Sequence, residues 1–173
     1  MSGHTSEWNR FNEKSPIRKE TLTSDMEVLN AHLIHDIEDA GQGALSAAKC
    51  YRTHWKMHEQ YESFRLLNNA ILEMAKQLPL ASRTDEQGVP EEVPLKVLES
   101  WGLVYRKGES TDAHTHWPAL WSYCYCVSAC EDCVPITFPN MDTYWGGNDE
   151  VSHKTGQILL WPAWITHQVY EHE

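Results

Sequence analysis

The hydrophobic residues of this chain change their spacing near residue 95, and this change constrains the fold more than any other feature. Upstream, apolar residues recur every three or four positions in two stretches, which is typical of amphipathic helices. Downstream, apolar and polar residues alternate in short runs separated by turn residues, which is typical of strands. The pattern predicts a mainly β fold, with an all-β core of sandwich or barrel type behind a helical front.

The predicted helical front covers residues 24–80. Its first helix begins at Ser24, whose hydroxyl can cap the helix, and its second helix covers residues 57–78. Residues 1–23 are polar, and we predict that they form an irregular arm. The length of 173 residues fits a single domain overall.

The predicted β core covers residues 95–173. Short segments in it alternate in polarity or are rich in aromatic and β-branched residues, and turn residues separate them. The predicted strands are residues 97–106, 119–128, 134–138, 157–161 and 164–170.

The charge of the chain excludes one class of partner. Lys and Arg number 14 against 25 Asp and Glu, a net charge of −11. An acidic surface repels phosphate backbones, so we expect no binding of nucleic acid through bulk charge. No apolar run approaches the roughly 18 residues of a membrane span, and no signal peptide is recognisable. We therefore expect no membrane partner and a cytoplasmic location.

Three histidines form the main functional motif. His114 and His116 stand two residues apart in D-A-H-T-H-W, and His167 follows about fifty residues later in W-P-A-W-I-T-H-Q-V. Imidazoles converging inside a small β core make a metal site with open positions, and iron(II) suits such ligands. The alternative is that these are solvated or core histidines without a metal.

The same segments resemble a known family. The runs W-G-L-V-Y-R-K-G-E-S-T-D-A-H-T-H-W-P-A-L-W-S-Y-C-Y, P-I-T-F-P and G-Q-I-L-L-W-P-A-W-I-T-H-Q-V look like the iron(II)/2-oxoglutarate-dependent oxygenases. The likeness is greatest to small uncharacterised oxygenases that tailed bacteriophages encode. It covers about residues 95–170. If the chain is phage-encoded, the expected cytoplasm is that of the host cell.

The resemblance implies a double-stranded β-helix, also called a jelly roll, of the cupin-like kind. It implies iron(II) held by His114 and His167, with 2-oxoglutarate as cosubstrate and dioxygen as oxidant. His116 falls where most of the superfamily has Asp or Glu, so the third ligand is either His116, which we favour, or a carboxylate such as Asp112.

The residues that bind the cosubstrate are harder to assign. Family members carry an Arg or Lys after the distal histidine, on the strand that binds the 5-carboxylate of 2-oxoglutarate. No Arg or Lys follows His167 here, so the sequence predicts a clipped or abbreviated barrel. Lys154 is the substitute that we select, with Lys107 and Arg106 as alternatives. Tyr123 or Tyr125 is a further candidate for that carboxylate, and a core aromatic with a satisfied hydroxyl is the alternative for each.

Two tryptophans are candidates for substrate contact: Trp117, next to the first histidine pair, and Trp145, beside two glycines in a predicted loop. Four cysteines follow as C-x-C-x3-C-x2-C. Cys124 and Cys126 fit a strand in the core, whereas Cys130 and Cys133 are an incidental turn pair, a disulfide or half of a metal site.

Three functions follow from these observations. The first is a 2-oxoglutarate-dependent dioxygenase that hydroxylates a C–H bond of an unidentified substrate, with peptides or protein side chains as the class that we favour. The second is a cupin-like three-histidine metalloprotein with other chemistry. The third is a non-catalytic jelly-roll module that serves in structure or binding. The sequence leaves the oligomeric state open.

Overall fold

A computed structural model of the chain describes residues 16–22, 26–44, 46–78, 82–84, 86–139 and 150–172. The helices are α1 (Met26–Asp39), α2 (Met57–Gln60) and α3 (Glu62–Lys76). The strands up to the histidine pair are β1 (Arg18–Thr21), β2 (Ala48–Lys49), β3 (Tyr51–Arg52), β4 (Ser82–Thr84), β5 (Pro90–Glu92), β6 (Leu103–Val104) and β7 (Ser110–His114). The remaining strands are β8 (Trp121–Tyr125), β9 (Ile136–Thr137), β10 (Glu150–Val151), β11 (Gln157–Pro162) and β12 (His167–Val169).

Two antiparallel sheets form the core of the β region. One has the strand order β1-β11-β8 and the other has the order β10-β9-β12-β7-β2. Strands β3 and β6 form one additional pair, and β4 and β5 form another. A buried cluster joins the two main sheets, because it contains Phe138 beside β9, Val151 of β10, and Leu159 and Trp161 of β11. This face-to-face packing of antiparallel sheets is the predicted cupin-like jelly roll, and the predicted fold class is confirmed.

Strand β11 separates this interior from the helices. Its residues alternate between the two faces of the sheet, as the pleat requires. Leu159 and Trp161 face the interior cluster, whereas Ile158 and Leu160 pack with Leu33 of α1 and other apolar residues of the helices. The helical front therefore covers the outer face of the three-stranded sheet. No helix in the described ranges is long and apolar enough to span a bilayer.

The helix predicted over residues 57–78 is divided in the structure. Tyr61 has an extended backbone (φ −113°, ψ 130°) and lies between α2 and α3. Its hydroxyl donates a hydrogen bond to Asp39 Oδ2 at 2.9 Å, which attaches the break to the end of α1. The apolar spacing is continuous across the break, so periodicity alone predicts a single helix.

The strand predicted over residues 97–106 is also shorter, since only Leu103–Val104 is a strand. Upstream of it, the backbone of Ser100 makes hydrogen bonds to the backbone of Trp55 and Met57. This stretch therefore pairs with the loop before α2 and does not form a long strand.

The predicted irregular arm was wrong at its end, because Arg18–Thr21 forms β1 on the edge of β11. Residues 18–21 are polar and alternate only in burial, which the sequence does not reveal.

Candidate metal centre

The three predicted histidines meet at one end of the jelly roll. His114 is the last residue of β7 and His167 is the first of β12, and the two are partners across this antiparallel pair. His116 lies just beyond β7, where its backbone N–H donates to Ala163 O at 2.8 Å. Pairing of β7 with β12 therefore brings together residues about fifty positions apart in the sequence.

The rings are close enough for one ion to reach all three. The ring centroids of His114 and His167 are 4.3 Å apart, those of His114 and His116 are 4.9 Å apart, and those of His116 and His167 are 5.0 Å apart. One nitrogen from each ring lies within 4.8 Å of the other two. No carboxylate belongs to this group among the residues that the structure describes.

Backbone carbonyls fix the orientation of two of these rings. His114 Nδ1 is 2.8 Å from Asp112 O, and His167 Nδ1 is 3.4 Å from Ile165 O. A carbonyl oxygen can only accept, so these contacts favour the proton on Nδ1 and leave the Nε2 lone pair free. Histidine ligands in metal sites are commonly oriented in this way.

Burial keeps two of the imidazoles neutral. Burial, with a smaller contribution from the neighbouring histidines, lowers the pKa of His167 to about 3 and that of His116 to about 4. A metal ion needs the neutral form of imidazole, which these two residues hold at physiological pH without losing a proton. The site thus has lone pairs available at low cost.

Aromatic rings surround the histidines and restrict their movement. The Trp161 ring lies 4.9 Å from that of His167, and the Trp101 ring lies 5.5 Å from that of His116. Trp101 in turn packs edge-on against Trp55 at 4.6 Å. Neither Trp101 nor Trp55 is among the site residues predicted from the sequence, because their contact joins two distant segments.

The interior beside the histidines contains two polar groups without partners. Ser122 and Trp161 are directly opposite each other on β8 and β11, and both are buried. Within the described residues, Ser122 Oγ and Trp161 Nε1 have no hydrogen-bond partner. An unpaired buried donor usually indicates a ligand or a bound water. Strand alternation could have indicated Ser122, since it shares a face with Cys124.

Exposed apolar side chains lie on the segments next to His116 and His167. Trp117 is 72% exposed, Trp164 is 51% exposed and Leu120 is 39% exposed. A backbone hydrogen bond from Ala163 N–H to Leu120 O joins the segment that carries Trp164 to the segment that carries Leu120. Trp117 is exposed and its contact with a substrate stays a prediction, whereas the other candidate, Trp145, lies outside the described residues.

The two tyrosines are placed away from this interior. Tyr123 and Tyr125 pack against the helical cluster. The Tyr123 hydroxyl donates to Asn68 Oδ1 and is 2.9 Å from Ser100 Oγ, and the Tyr125 hydroxyl donates to Asn30 Oδ1 at 2.7 Å. This placement favours core aromatics with satisfied hydroxyls, the alternative to a cosubstrate role.

The predicted charged residues do not approach the histidines. Lys154 is exposed and precedes β11, whereas the histidines lie beyond the other end of that strand, roughly 17 Å along it at 3.3 Å per residue. Arg106 and Lys107 are exposed in the turn before β7. The Asp112 carboxylate binds Lys49 Nζ at 2.6 Å on the surface, and not the histidine group.

Of the cysteines, Cys130 and Cys133 form a disulfide, whereas Cys50, Cys124 and Cys126 are free. Cys124 packs with the interior cluster, in agreement with a role in the core. Burial raises the pKa of Cys124 to about 12, so its thiol stays protonated.

Comparisons with known proteins agree with this fold. No family model matches the chain, and no curated protein matches it either. Among solved structures, the chain is similar to the crystal structure of a protein described as a prolyl-4-hydroxylase from Pseudomonas putida. The TM-score is 0.62 at 13% sequence identity, and the match covers 95% of this chain and 89% of the other. At this identity the likeness establishes the shared fold.

Proposed function

We propose that this protein is an iron(II)- and 2-oxoglutarate-dependent dioxygenase that hydroxylates a C–H bond of a peptidyl substrate. One observation carries the proposal: three imidazoles converge at one end of a jelly roll, close enough to hold one metal ion. The structure of the Pseudomonas putida prolyl-4-hydroxylase, whose fold this chain shares, supports the choice of reaction class.

The histidine group fits a bound iron(II) ion. His114, His116 and His167 would supply three nitrogen ligands, which leaves open positions for a cosubstrate and dioxygen. The rings of His116 and His167 are neutral and pack against Trp101 and Trp161 respectively, so these two residues can bind without proton loss. When bound, the ion supplies activation of dioxygen, coupled to conversion of 2-oxoglutarate to succinate and carbon dioxide.

The interior next to the histidines fits a carboxylate of the cosubstrate. Ser122 Oγ and Trp161 Nε1 are buried donors without partners in the described chain, and Trp161 contacts His167. These two groups are our candidates for the 2-oxoglutarate site. They replace Lys154, which lies at the far end of β11, and they provide hydrogen bonds without a cation.

We expect the substrate to approach over the exposed apolar side chains on the segments next to His116 and His167. Trp117 directly follows His116, Trp164 lies three residues before His167, and both side chains are exposed, so their large apolar rings are available to apolar parts of a substrate. The acidic net charge of −11 favours a substrate segment that is neutral or basic. We assign Trp117 as the first residue to test for substrate binding.

Succinate formation tests the proposal. The wild-type protein, given iron(II), ascorbate and 2-oxoglutarate, is expected to release succinate even without its substrate, and His114→Ala is expected to abolish this release. His116→Asp is expected to keep it, because a carboxylate is an alternative third ligand for iron. Asp112→Asn is a matched surface control, since Asp112 binds Lys49. The proposal fails if the wild type and His114→Ala release equal amounts of succinate.

A second candidate function is a cupin-like three-histidine metalloprotein with other chemistry. The all-nitrogen ligand set of the described residues favours it. Metal that binds through the three histidines, combined with no binding of 2-oxoglutarate, would select this alternative. Absence of metal binding would select a non-catalytic module.

A further inference from the structure

We propose that Cys130, Cys133 and His172 form a second metal site, which binds zinc when the two cysteines are reduced. The three residues come from two segments that are distant in the sequence, the turn after β8 and the segment after β12. Two thiolates and an imidazole are ligands that zinc prefers, and Cys-x2-Cys at a turn is a common half of a zinc site. This site is independent of the proposed iron centre.

The geometry brings the three potential ligands together. The two sulfurs and one imidazole nitrogen lie within 4.8 Å of one another, and Cys130 Sγ is 3.6 Å from His172 Nε2. The backbone N–H of Cys130 donates to Cys133 Sγ at 2.8 Å. A donor to sulfur stabilises the thiolate, which is the form that binds a metal. Cys130 is exposed, so an ion can enter and solvent can fill the fourth position.

The backbone holds His172 in place over this turn. Gly108 N–H donates to His172 O at 2.7 Å, and His172 N–H donates to Glu109 O at 3.0 Å. This pair of bonds continues the pairing of β7 with β12 beyond its last strand residue. His172 Nδ1 is buried and has no hydrogen-bond partner among the described residues. The backbone therefore fixes the imidazole beside the sulfurs, with Nε2 as the nitrogen nearest Cys130 Sγ.

The oxidation state of the cysteines controls the site. Cys130 and Cys133 form a disulfide in the structure. A dithiol reductant supplies two electrons and two protons, which break the S–S bond and give two thiols, while the reductant itself becomes a disulfide. Both thiols then release their protons as the metal binds. The disulfide and the zinc complex thus exclude each other.

The disulfide and the zinc complex differ in what they connect, because only the zinc complex includes the segment that follows β12. His172 lies five residues after His167 on the same segment. Zinc would attach this segment to the turn between β8 and β9, whereas the disulfide closes only that turn. Reduction with zinc present would therefore restrain the strand that carries His167.

Cobalt(II) in place of zinc provides a direct test. The reduced double variant His114→Ala/His167→Ala, which lacks the main histidine site, is titrated with cobalt(II). We expect a near-ultraviolet thiolate-to-cobalt charge-transfer band that saturates at one equivalent per chain. Oxidation of the same protein should remove the band. Cys133→Ser should abolish it, and His172→Gln should weaken binding by more than about 100-fold, because a direct ligand matters more than its supporting contacts.

Two controls separate this site from other thiols and histidines. Cys126→Ser and His35→Gln should keep the band, since neither residue belongs to the group. Circular dichroism verifies that each variant is folded, and the comparison of oxidised with reduced protein needs no substitution at the new site. Absence of the band in the reduced protein would overturn the proposal, as would a band that survives both Cys130→Ser and Cys133→Ser.

Discussion

The hydroxyl of Tyr123 provides a sharp test of how the helical front is attached to the jelly roll. It connects β8 to two other segments, through Asn68 of α3 and Ser100 of the loop before β6. In Tyr123→Phe, Asn68 loses the partner of its carbonyl oxygen in a buried position. A buried polar atom left unpaired costs about 1–3 kcal/mol, so we expect a loss of about 2 kcal/mol in the free energy of unfolding.

Tyr125→Phe is the matched control. Its hydroxyl has the single partner Asn30, whose amide still donates to Val127 O, so we expect a loss of about 1 kcal/mol. Urea unfolding measures both, and the melting temperature of Tyr123→Phe should fall by roughly 4–8 °C for a chain of this size. Unchanged stability in Tyr123→Phe, together with lost binding of 2-oxoglutarate, would refute this account and assign the hydroxyl to the cosubstrate.

Three further perturbations test other parts of the structure. Gly156 has φ +81° and a Cβ there would clash with Met26 Sδ, so Gly156→Ala should lower the free energy of unfolding more than Gly41→Ala, where φ is +68° but the space is open. Equal losses in urea unfolding would contradict this clash. In the folded chain the pKa values of His116 and His167 are lowered to about 4 and about 3, whereas a histidine in the unfolded chain has a pKa of about 6.5. Below about pH 6.5 the unfolded chain therefore binds more protons than the folded chain. The metal-free protein should therefore lose stability as the pH falls from about 6.5 towards 3, and urea unfolding of His167→Asn should show a smaller loss over the same range. Trp101→Leu should weaken metal binding about 10–100-fold by freeing the His116 ring, measured by competition with a chelator; an unchanged affinity would show that the ring needs no such support.

The sequence predicts the architecture well where a local pattern determines the structure. The change of period near residue 95 separates helices from strands, and the strand predicted over residues 157–161 is found as β11, which is buried on both faces. Tertiary contacts explain the errors. Tyr61 breaks a continuous helical pattern through its bond to Asp39, and Arg18–Thr21 becomes a strand because β11 offers an edge.

The candidate site is predictable only in part, for a related reason. The convergence of His114, His116 and His167 follows from a motif, whereas the polar pair Ser122 and Trp161 depends on strand register. Lys154 has the charge that a carboxylate needs, but the direction of β11 places it at the end of the strand away from the histidines. His172 has no sequence signal, since its position beside Cys130 results from backbone pairing with residues 108–109.

The central claim is that the three histidines bind iron(II) together with 2-oxoglutarate. Anaerobic titration of the oxidised protein with iron(II), in the presence of 2-oxoglutarate, measures this directly through the visible charge-transfer band of the chelated ion. We predict one iron per chain, a band that requires both components, and loss of the band in His167→Ala. If the wild type binds iron no more tightly than His167→Ala and shows no band, the account is wrong.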